Sequence, residues 1–536
     1  MSRTEQTEIE RKYDVGADAT VPDLTGADVG DALVVDRVET AGAVLLNAVY
    51  FDTADHVLLA NRVTLRRRTG GGDEGWHLKL PPTAASAGRR EVHWPLGGDS
   101  AEPVPAELRR LVEFVLRGRP LHPVLVLETS RTTSRLLAFD DTALAEIADD
   151  VVTAGDPDSA QLRAWREWEV ELAPGIDGPQ GEAVLTAVGS ALERAGATPS
   201  ESKSKLARGL GAGQPTPAGG ALTPEIVPPK AKKKSAARFV RTAVADLTAE
   251  LAVVDPRVRD DDPDSIHRFR VVVRRLRSVL RTYSGVLDAD LSRQVVEGLA
   301  EIGHVAGAAR DAEVAQTRLA VTAAGAPDGF VSVQTRGRLD AHLREVYRER
   351  SSDVRRALSS RLYFDVLDAL DALAVAPLGA RAHESAADFV ASRLKKERRR
   401  TVGRRDAALG AVQALVSDRA DEPRPSRRQE AETVTAEETT HLLHEARKAA
   451  KRYRYAAEAW SRVDGSKSKA ARSAKHLQSV LGEYRDASAA VDLVRSVAEM
   501  AEHADEPTFG YGVLATLEHR AAEEALVAFS TQARSL

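Results

Sequence analysis

The sequence predicts a multidomain protein in which an antiparallel β barrel or sandwich is followed by an all-α domain. Up to about residue 208, short segments of alternating polarity are separated by Gly, Pro or Asp, which is typical of antiparallel strands. Residues 211–234 are rich in Gly, Pro and Lys, as in a flexible linker. From residue 236 onward, Ala, Leu and Arg recur with helical periodicity. We therefore expect domains at 1–208 and 236–530, joined by a linker at 209–235.

Composition narrows the class of protein. The chain has 536 residues, which is too long for one ordinary hydrophobic core. It contains no cysteine, which excludes disulfides, zinc–thiolate sites and thiol catalysis and fits a reducing compartment. The N-terminus lacks the apolar core of a signal peptide, and no run of about 18 apolar residues occurs. We therefore expect a cytoplasmic protein without a membrane partner. Its formal net charge of −5 conceals strongly basic segments.

The first domain is expected to be rich in strands and to contain one longer helix. A strand is predicted to begin at Glu8, and further strands at 44–51, 63–68, 76–80, 89–94, 124–128, 134–139, 143–152 and 166–172. Residues 179–195 are expected to form an amphipathic helix, because Val184, Leu185, Val188 and Leu192 fall on one face. This order of elements predicts an antiparallel α+β domain.

Long charged side chains share one face of nearly every predicted strand. Because successive residues of a strand point to opposite faces, Glu8, Glu10 and Lys12 project together. The same holds for Arg66 with Arg68, His77 with Lys79, Arg89 with Glu91, Glu169 with Glu171, and Lys203 with Lys205. A solvated face would tolerate any polar residue, so these rows favour a closed barrel whose polar interior binds a highly charged ligand. Arg and Lys would neutralise phosphates, and carboxylates would hold Mg²⁺ or Mn²⁺.

These rows resemble a known family. Glu8-x-Glu10-x-Lys12, Leu65–Arg68, Leu78–Pro81, Arg89–Glu91, Glu169–Glu171 and Ser202–Lys205 occur in the order seen in the CYTH family of triphosphate tunnel metalloenzymes. The resemblance covers about the first 208 residues and implies an eight-stranded antiparallel β tunnel. Members of the family hydrolyse inorganic triphosphate, thiamine triphosphate or RNA 5′-triphosphates, or cyclise ATP, with a divalent metal.

The resemblance also implies roles for individual residues. Glu8, Glu10 and Lys12 would be catalytic. Residues implied to bind the triphosphate are Lys12, Arg66, Arg68, Lys79, Arg89, Arg131, Arg135 and Lys203. Residues implied to hold the metal and the attacking water are Glu8, Glu10, Glu169 and Glu171, together with an acid at 149–150. We favour Asp150 over Asp149 there, because it has the same strand parity as Glu146.

The helical domain contains an internal repeat, expected to divide at about 236–415 and 437–530. The first half carries His267, Arg270, Arg274 and Arg277, and the second carries His444, Arg447, Lys451 and Arg454 at the same offsets. Spacings of three and four place each set along one stripe of a helix. Residues 267–281 contain six arginines and no acid, so intrahelical pairs cannot neutralise them. Two such stripes brought together would form a basic channel for a polyanion.

The two repeated motifs are similar to those of the CHAD domain, a conserved-histidine α-helical domain. The motifs are Ile-His-x-x-Arg-x-x-x-Arg-Arg-Leu-Arg and Leu-Gly-x-x-Arg-Asp, and the similarity covers roughly 236–530. The resemblance implies two pseudo-symmetric four-helix bundles that bind inorganic polyphosphate. It implies polyphosphate contacts at His267, Arg270, Arg274, Arg277, His444, Arg447, Lys451 and Arg454. A further basic cluster with similar spacing is formed by Arg393, Lys396, Arg400 and Arg404.

Together, these features predict a metal-dependent phosphohydrolase acting on inorganic triphosphate or short polyphosphate, coupled to a polyphosphate-binding helical domain. One alternative is a non-enzymatic polyphosphate-binding or targeting protein. Another is an enzyme of the CYTH type that acts on thiamine triphosphate or ATP, the latter as an adenylyl cyclase. Nucleic acid is a less favoured partner, because few aromatic residues interleave with the basic stripes. The sequence leaves open the oligomeric state, the choice between Mg²⁺ and Mn²⁺, and whether the helical domain regulates the tunnel.

Overall fold

A computed structural model describes residues 4–30, 33–81, 88–97, 103–155, 161–202, 204–211, 234–420, 436–465 and 468–532. The chain separates into two compact units, Met1–Thr223 and Pro224–Leu536. Most of the predicted linker, residues 212–233, lies outside the described residues. The first unit is built on an antiparallel sheet and the second is helical, which confirms the predicted fold class.

Within its described residues, the first unit contains thirteen strand segments and four helices. The strands are β1 (Thr4–Glu8), β2 (Glu10–Asp14), β3 (Asp28–Gly30), β4 (Leu33–Val34), β5 (Arg37–Thr40), β6 (Val44–Asp52), β7 (Thr64–Thr69), β8 (Gly75–Leu80), β9 (Arg89–Trp94), β10 (His122–Leu137), β11 (Ala143–Gly155), β12 (Leu162–Leu172) and β13 (Thr198–Pro199). The helices are α1 (Val57–Ala60), α2 (Ala106–Leu116), α3 (Gly178–Arg194) and α4 (Lys205–Leu210).

The large sheet closes on itself. Its strand order is β1-β9-β8-β7-β6-β10-β11-β12-β2-β13, and β5 pairs with β10. Only Ile9 separates β1, which begins this path, from β2, which lies next to its last short strand, so the path closes through one continuous run of chain. The closed sheet therefore has an inner and an outer face. The sheet contains eleven strand segments. The first strand is counted as two segments, β1 and β2, because it is interrupted at Ile9, and the short strands β5 and β13 add two more by pairing with β10 and β2.

The two faces of the closed sheet pack differently. On the outer face, Trp168 and Val170 of β12 join a buried apolar cluster with α3. On the inner face, Leu206 of α4 packs against Leu125, Leu127 and other apolar residues, so α4 fills one end of the barrel. Farther along the same strands, the inward-facing residues become charged. The apolar packing at one end of the barrel therefore holds in place the strands that carry the charged residues of the interior.

Within its described residues, the second unit contains nine helices, many of them capped at the N-terminus by serine. They are α5 (Ala236–Arg259), α6 (Ser265–Thr282), α7 (Ala289–Ala324), α8 (Val333–Leu358), α9 (Arg361–Val375), α10 (Ala386–Ala420), α11 (Ala436–Asp464), α12 (Lys469–Glu502) and α13 (Phe509–Gln532). None of the helices in the described part of the chain is long and apolar enough to span a membrane.

The helices of the second unit pack in a repeated order. α5 packs along α6, α6 along α7 and α7 along α8. In the same way, α10 packs along α11, α11 along α12 and α12 along α13, and α6 also contacts α11. α10 thus packs mainly with α11 and the helices that follow it, although the predicted division assigned residues up to 415 to the first half. That division stays a prediction.

Candidate functional site

The inner face of the barrel carries closely paired charges. Lys12 Nζ lies 3.2 Å from Glu10 Oε2, and it also pairs with Glu169 on the neighbouring strand. Lys79 of β8 pairs with Glu8 of β1. Lys12 and Glu169 meet because β2 pairs with β12, and Lys79 and Glu8 meet across β9, which pairs with both β1 and β8. The predicted rows of charge therefore lie together in the barrel interior.

A second group of charges surrounds Asp150, which is fully buried. Arg131 donates from Nε and Nη2 to the two carboxylate oxygens of Asp150 at 2.7 and 2.6 Å, and from Nη2 to Glu169 at 3.0 Å. Lys205 Nζ lies 3.0 Å from Asp150, 2.6 Å from Glu167 and 2.7 Å from Glu169. Burial alone would raise the pKa of Asp150, but the adjacent Lys205 and Arg131 outweigh burial and hold that pKa below its usual value.

Carboxylate oxygens of Asp150, Glu167 and Glu169 lie within 4.8 Å of one another, a spacing that can hold a divalent cation. Lys205 already contacts all three carboxylates, so much of their charge is matched. Glu8 is less well matched, because burial and a hydrogen bond to Glu91 raise its pKa to about 8. Burial also raises the pKa of Glu171, which pairs in register with Glu10. Buried carboxylates that resist ionisation gain most from a nearby cation, so this side of the interior fits a divalent metal.

Lys205→Met is expected to lower the free energy of unfolding by about 3–5 kcal/mol, because it removes a buried ammonium from among three acids. Urea unfolding followed by tryptophan fluorescence suits this test, since four of the five tryptophans lie in the first unit. Arg90→Met is the matched control: the exposed Arg90–Glu5 pair is expected to contribute less than about 1 kcal/mol. Equal losses in both variants would show that Lys205 has no special role in holding the cluster.

The opposite part of the barrel interior is rich in guanidinium groups. Arg66 donates to the Tyr50 hydroxyl at 3.4 Å and lies 4.0 Å from Glu91. Arg68 pairs with Asp73, but burial and the neighbouring Arg66 lower the pKa of Arg68 to about 10. The Nε atoms of Arg66 and Arg68 are buried without a hydrogen-bond partner. Buried donors that repel each other and lack acceptors fit an anion with several oxygens, such as a phosphate chain.

The structure brings most of the predicted tunnel residues together, although their roles stay predictions. The residues in direct contact with at least one other member of this set are Glu8, Glu10, Lys12, Lys79, Arg131, Asp150 and Glu169. Asp149 instead pairs with Arg166 at 2.7 Å, so Asp150 is the acid that joins the interior. Arg89 donates to the Arg62 carbonyl oxygen at 2.9 Å, and Arg135 is exposed. Lys203 lies outside the described residues.

Interior residues that are absent from the predicted site include Glu91, Glu167 and Lys205. Strand parity offered a signal for each of them, because the sequence pattern places Glu91 on one face with Arg89, Glu167 with Glu169 and Lys205 with Lys203. Glu91 accepts a hydrogen bond from Gln6 at 3.3 Å and lies 3.0 Å from His77 Nδ1. Burial, together with the nearby Arg66 and Arg68, lowers the pKa of His77 to about 4 even though its bond to Glu91 opposes this.

In the second unit, the basic stripes of α6 and α11 converge. We call Arg270, Arg274, Arg447 and Lys451 the central basic cluster. Burial, with Arg447 and then Arg274 as the strongest neighbours, lowers the pKa of Lys451 to about 6, and Arg485 of α12 and Arg270 add to this shift. Burial and Arg274 lower the pKa of Arg270 to about 10. The Nε atoms of Arg270 and Arg447 are buried without a hydrogen-bond partner. Such a concentration of half-buried cations is unfavourable unless an anion occupies it.

The other predicted contacts of the helical unit lie around this cluster. Asp311 of α7 links Arg270 at 3.4 Å to Arg485 at 2.6 Å, and so joins α6 to α12. Arg454 is neutralised by Glu458 at 2.6 Å, so it contributes less free positive charge. Burial and neighbouring cations lower the pKa values of both histidines, with Arg310 beside His267 and Lys448 beside His444. Burial and the adjacent Arg281 and Arg274 lower the pKa of Arg277.

Comparisons with known proteins assign a domain family to each of the two units. The CYTH domain family matches residues 6–210, and the CHAD domain family matches residues 242–495. Over 530 residues the chain is 36% identical to the uncharacterized protein MT2285 of Mycobacterium tuberculosis (strain CDC 1551 / Oshkosh), which covers 96% of this chain and 93% of that protein.

Two solved structures are similar to part of the chain. PptA from Streptomyces chartreusis has a TM-score of 0.41 and 20% identity, covering 55% of this chain and 97% of that one. The CHAD domain from the plant Ricinus communis has a TM-score of 0.40 and 21% identity, covering 57% of this chain and 95% of that one. With both family matches in one chain and a full-length relative, this protein belongs to the family in which a CYTH domain is joined to a CHAD domain.

Proposed function

We propose that this protein is a cytoplasmic, metal-dependent phosphohydrolase that acts on inorganic triphosphate or short polyphosphate and binds polyphosphate through its helical unit. One observation carries the proposal: the same closed barrel contains both guanidinium nitrogens that lack a hydrogen-bond partner and buried carboxylates whose pKa is raised. A triphosphate and a divalent cation would complete both sets of charges. The CYTH match supports a phosphoryl-transfer enzyme of the triphosphate tunnel type.

Each part of the barrel interior has a role in this proposal. Residues that would hold Mg²⁺ or Mn²⁺ are Glu8, Glu10, Glu169, Glu171 and Asp150. When bound, the metal would neutralise phosphate charge and lower the pKa of a bound water. Arg66, Arg68 and Arg131 would bind phosphate oxygens and stabilise the charge that develops on the leaving group. Lys12 and Lys79 already hold carboxylates, and each would also present an ammonium to the substrate.

Phosphate release from the purified full-length protein tests the enzymatic part. Tripolyphosphate, long-chain polyphosphate, ATP and thiamine triphosphate should be compared with Mg²⁺ and with Mn²⁺. We expect metal-dependent release that is fastest from tripolyphosphate. Faster turnover of thiamine triphosphate, or formation of cyclic AMP from ATP, would replace the proposed substrate. No turnover of any compound, with long polyphosphate still bound, would make this a binding protein.

The central basic cluster supports the proposed binding of polyphosphate by the helical unit. Its buried donors and low-pKa lysine are stabilised by a closely spaced row of negative charges, which a phosphate chain supplies. Because both units belong to one chain, bound polyphosphate would have a raised effective concentration near the tunnel. The CHAD match is consistent with this ligand class.

Affinity for long-chain polyphosphate is expected to fall by roughly tenfold or more between pH 6 and pH 8. In the free protein the pKa of Lys451 is about 6, so its amine is mostly neutral above that pH. A bound anion would raise this pKa, so binding takes up a proton, and raising the pH opposes it. The charged groups around the amine are Arg447 of α11, Arg270 and Arg274 of α6 and Arg485 of α12.

Titration calorimetry at several pH values, in two buffers of different ionisation enthalpy, measures both the affinity and the proton uptake. Lys451→Arg is the matched control, because arginine stays charged throughout this range. In this variant the affinity for polyphosphate should depend much less on pH, and the remaining dependence should come from the two histidines. An unchanged pH profile in Lys451→Arg would contradict the assignment of the proton to Lys451.

A further inference from the structure

α10 carries an exposed basic face that the proposed sites do not use. Its members are Lys395, Lys396, Arg399, Arg400 and Arg404, and we call them the α10 face. Among the residues that the structure describes, no ion pair is recorded for these five. Two nearby acids of the helix are engaged elsewhere: Glu397 is buried and accepts from Arg452 at 2.8 and 2.9 Å, and Asp406 pairs with Arg405. The α10 face therefore lacks a counter-charge from these two acids of its own helix.

Comparison with α5 shows that this charge does not follow from packing. Ser235 and Ser385 precede the two helices and pair with each other across a short antiparallel bridge. Counted from these serines, the matched positions Val240 and Val390, Leu247 and Glu397, Leu251 and Thr401, and Val258 and Ala408 are all buried. The two helices thus use the same face for packing. Their solvent-facing sides can then be compared position by position.

The outer positions of the two helices carry opposite charges. Asp246 and Glu250 of α5 match Lys396 and Arg400 of α10 in the same count. Glu250 pairs with Arg462 at 2.6 Å, so the acids of α5 serve to neutralise neighbouring arginines. On α10, by contrast, the corresponding side chains add positive charge where like charges at helical spacing already repel one another by a few tenths of a kcal/mol per pair. Uncompensated repulsion of this kind favours binding of a polyanion.

The α10 face lies beside the helix that carries half of the central basic cluster. Thr401 Oγ1 lies 3.2 Å from the Ala449 carbonyl oxygen, and Glu397 holds Arg452, so α10 runs along α11. Lys448 and then Arg404 are the neighbouring cations that lower the pKa of Glu445 on α11. To touch both basic surfaces, an extended anion would have to pass Arg404 and Lys448 and continue around α11 to the central basic cluster. No aromatic residue occurs between Lys395 and Arg404, so unpaired bases would find no stacking partner there.

We propose that the α10 face is a second polyphosphate-contact surface, reached only by chains long enough to extend beyond the central basic cluster. This inference rests on the proposed polyphosphate-binding function. A second contact surface would make the helical unit selective for long polyphosphate chains, because each further phosphate contact releases counterions and adds affinity. A short chain fills the central basic cluster but leaves the α10 face empty.

The test compares full-length wild-type protein with the triple variant Lys396→Gln, Arg400→Gln and Arg404→Gln. Binding of long-chain polyphosphate and of tripolyphosphate is measured over a range of salt concentrations, with EDTA present to prevent turnover. We expect about tenfold weaker binding of the long chain, a salt dependence reduced by roughly two in the slope of log K against log salt, and a smaller change for tripolyphosphate. Arg336→Gln, Arg344→Gln and Arg348→Gln on α8 remove the same charge from another exposed surface and form the control.

Each alternative outcome identifies what has failed. If wild type binds long chains and the α10 variant keeps both its affinity and its salt slope, the inference is wrong while the proposed function stands. If wild type does not bind polyphosphate at all, the proposed binding function fails and this inference falls with it. If the α8 control variant weakens polyphosphate binding equally, the loss results from the change in net charge and not from the α10 face. Tighter, α10-dependent binding of duplex DNA than of polyphosphate at the same salt would reassign the surface to nucleic acid.

Discussion

Glu10→Ala and Glu171→Ala are each expected to lower kcat for tripolyphosphate hydrolysis by roughly 10³-fold. The two carboxylates lie side by side on the paired strands β2 and β12, where burial raises the pKa of Glu171, whereas Lys12 and Lys79 outweigh burial and lower the pKa of Glu10. Removing either one would take away a ligand from the proposed metal and leave fewer groups to orient the attacking water. Each variant should therefore show a lower affinity for the divalent cation as well as a lower kcat. Phosphate release at saturating substrate and increasing Mg²⁺ separates these two effects.

Asp149→Ala is the control for this experiment, because it removes a carboxylate only one residue from Asp150 but from the opposite face. Asp149 pairs with Arg166 and does not enter the barrel interior, so the variant should retain most activity. Thermal unfolding of all three variants checks that the barrel stays folded. Wild-type turnover in both glutamate variants would exclude these residues from the active site and remove the main support for the enzymatic proposal.

Strand parity predicted much of the barrel interior because alternation is strict wherever a strand is regular. It worked for Glu8, Glu10 and Lys12, whose neighbours in space come from other strands of the same sheet. Strand parity grouped Lys205 with Lys203, but it could not give the direction of Lys205, because that residue begins α4 rather than continuing a strand. Ser204 caps α4 by accepting a hydrogen bond from the Ala207 amide at 3.1 Å. The direction of Lys205 therefore depends on where this helix enters the barrel.

In the helical unit, the spacing of the repeats located the basic stripes, but it did not show which of their cations are neutralised by nearby acids. Spacing alone treats Arg447 and Arg454 alike, although Glu458 lies one turn after Arg454 and neutralises it. The i, i+4 pair was visible in the sequence. The contribution of Arg485 was not, because it comes from α12 and reaches the central basic cluster only through tertiary packing. Burial of Lys451 likewise depends on the approach of α6 to α11.

The double variant Arg274→Glu and Arg447→Glu is expected to weaken binding of long-chain polyphosphate by about 10³-fold. It reverses two charges within the central basic cluster, so it removes phosphate contacts and adds repulsion against the ligand. Titration calorimetry against wild type measures the loss. Arg344→Glu and Arg348→Glu, on the exposed surface of α8, change the net charge equally and should have a far smaller effect.

The same double variant should stabilise the protein when polyphosphate is absent. In the free protein, Arg270, Arg274, Arg447 and Arg485 repel one another and keep the Lys451 amine mostly neutral above pH 6, and burial prevents water from screening them fully. Glutamates at 274 and 447 would turn this repulsion into attraction, so the melting temperature should rise as polyphosphate affinity falls. A lower melting temperature together with lost binding would instead indicate a structural role for the two arginines. Opposite changes in stability and affinity would show that the central basic cluster is maintained for its ligand at a cost to the fold.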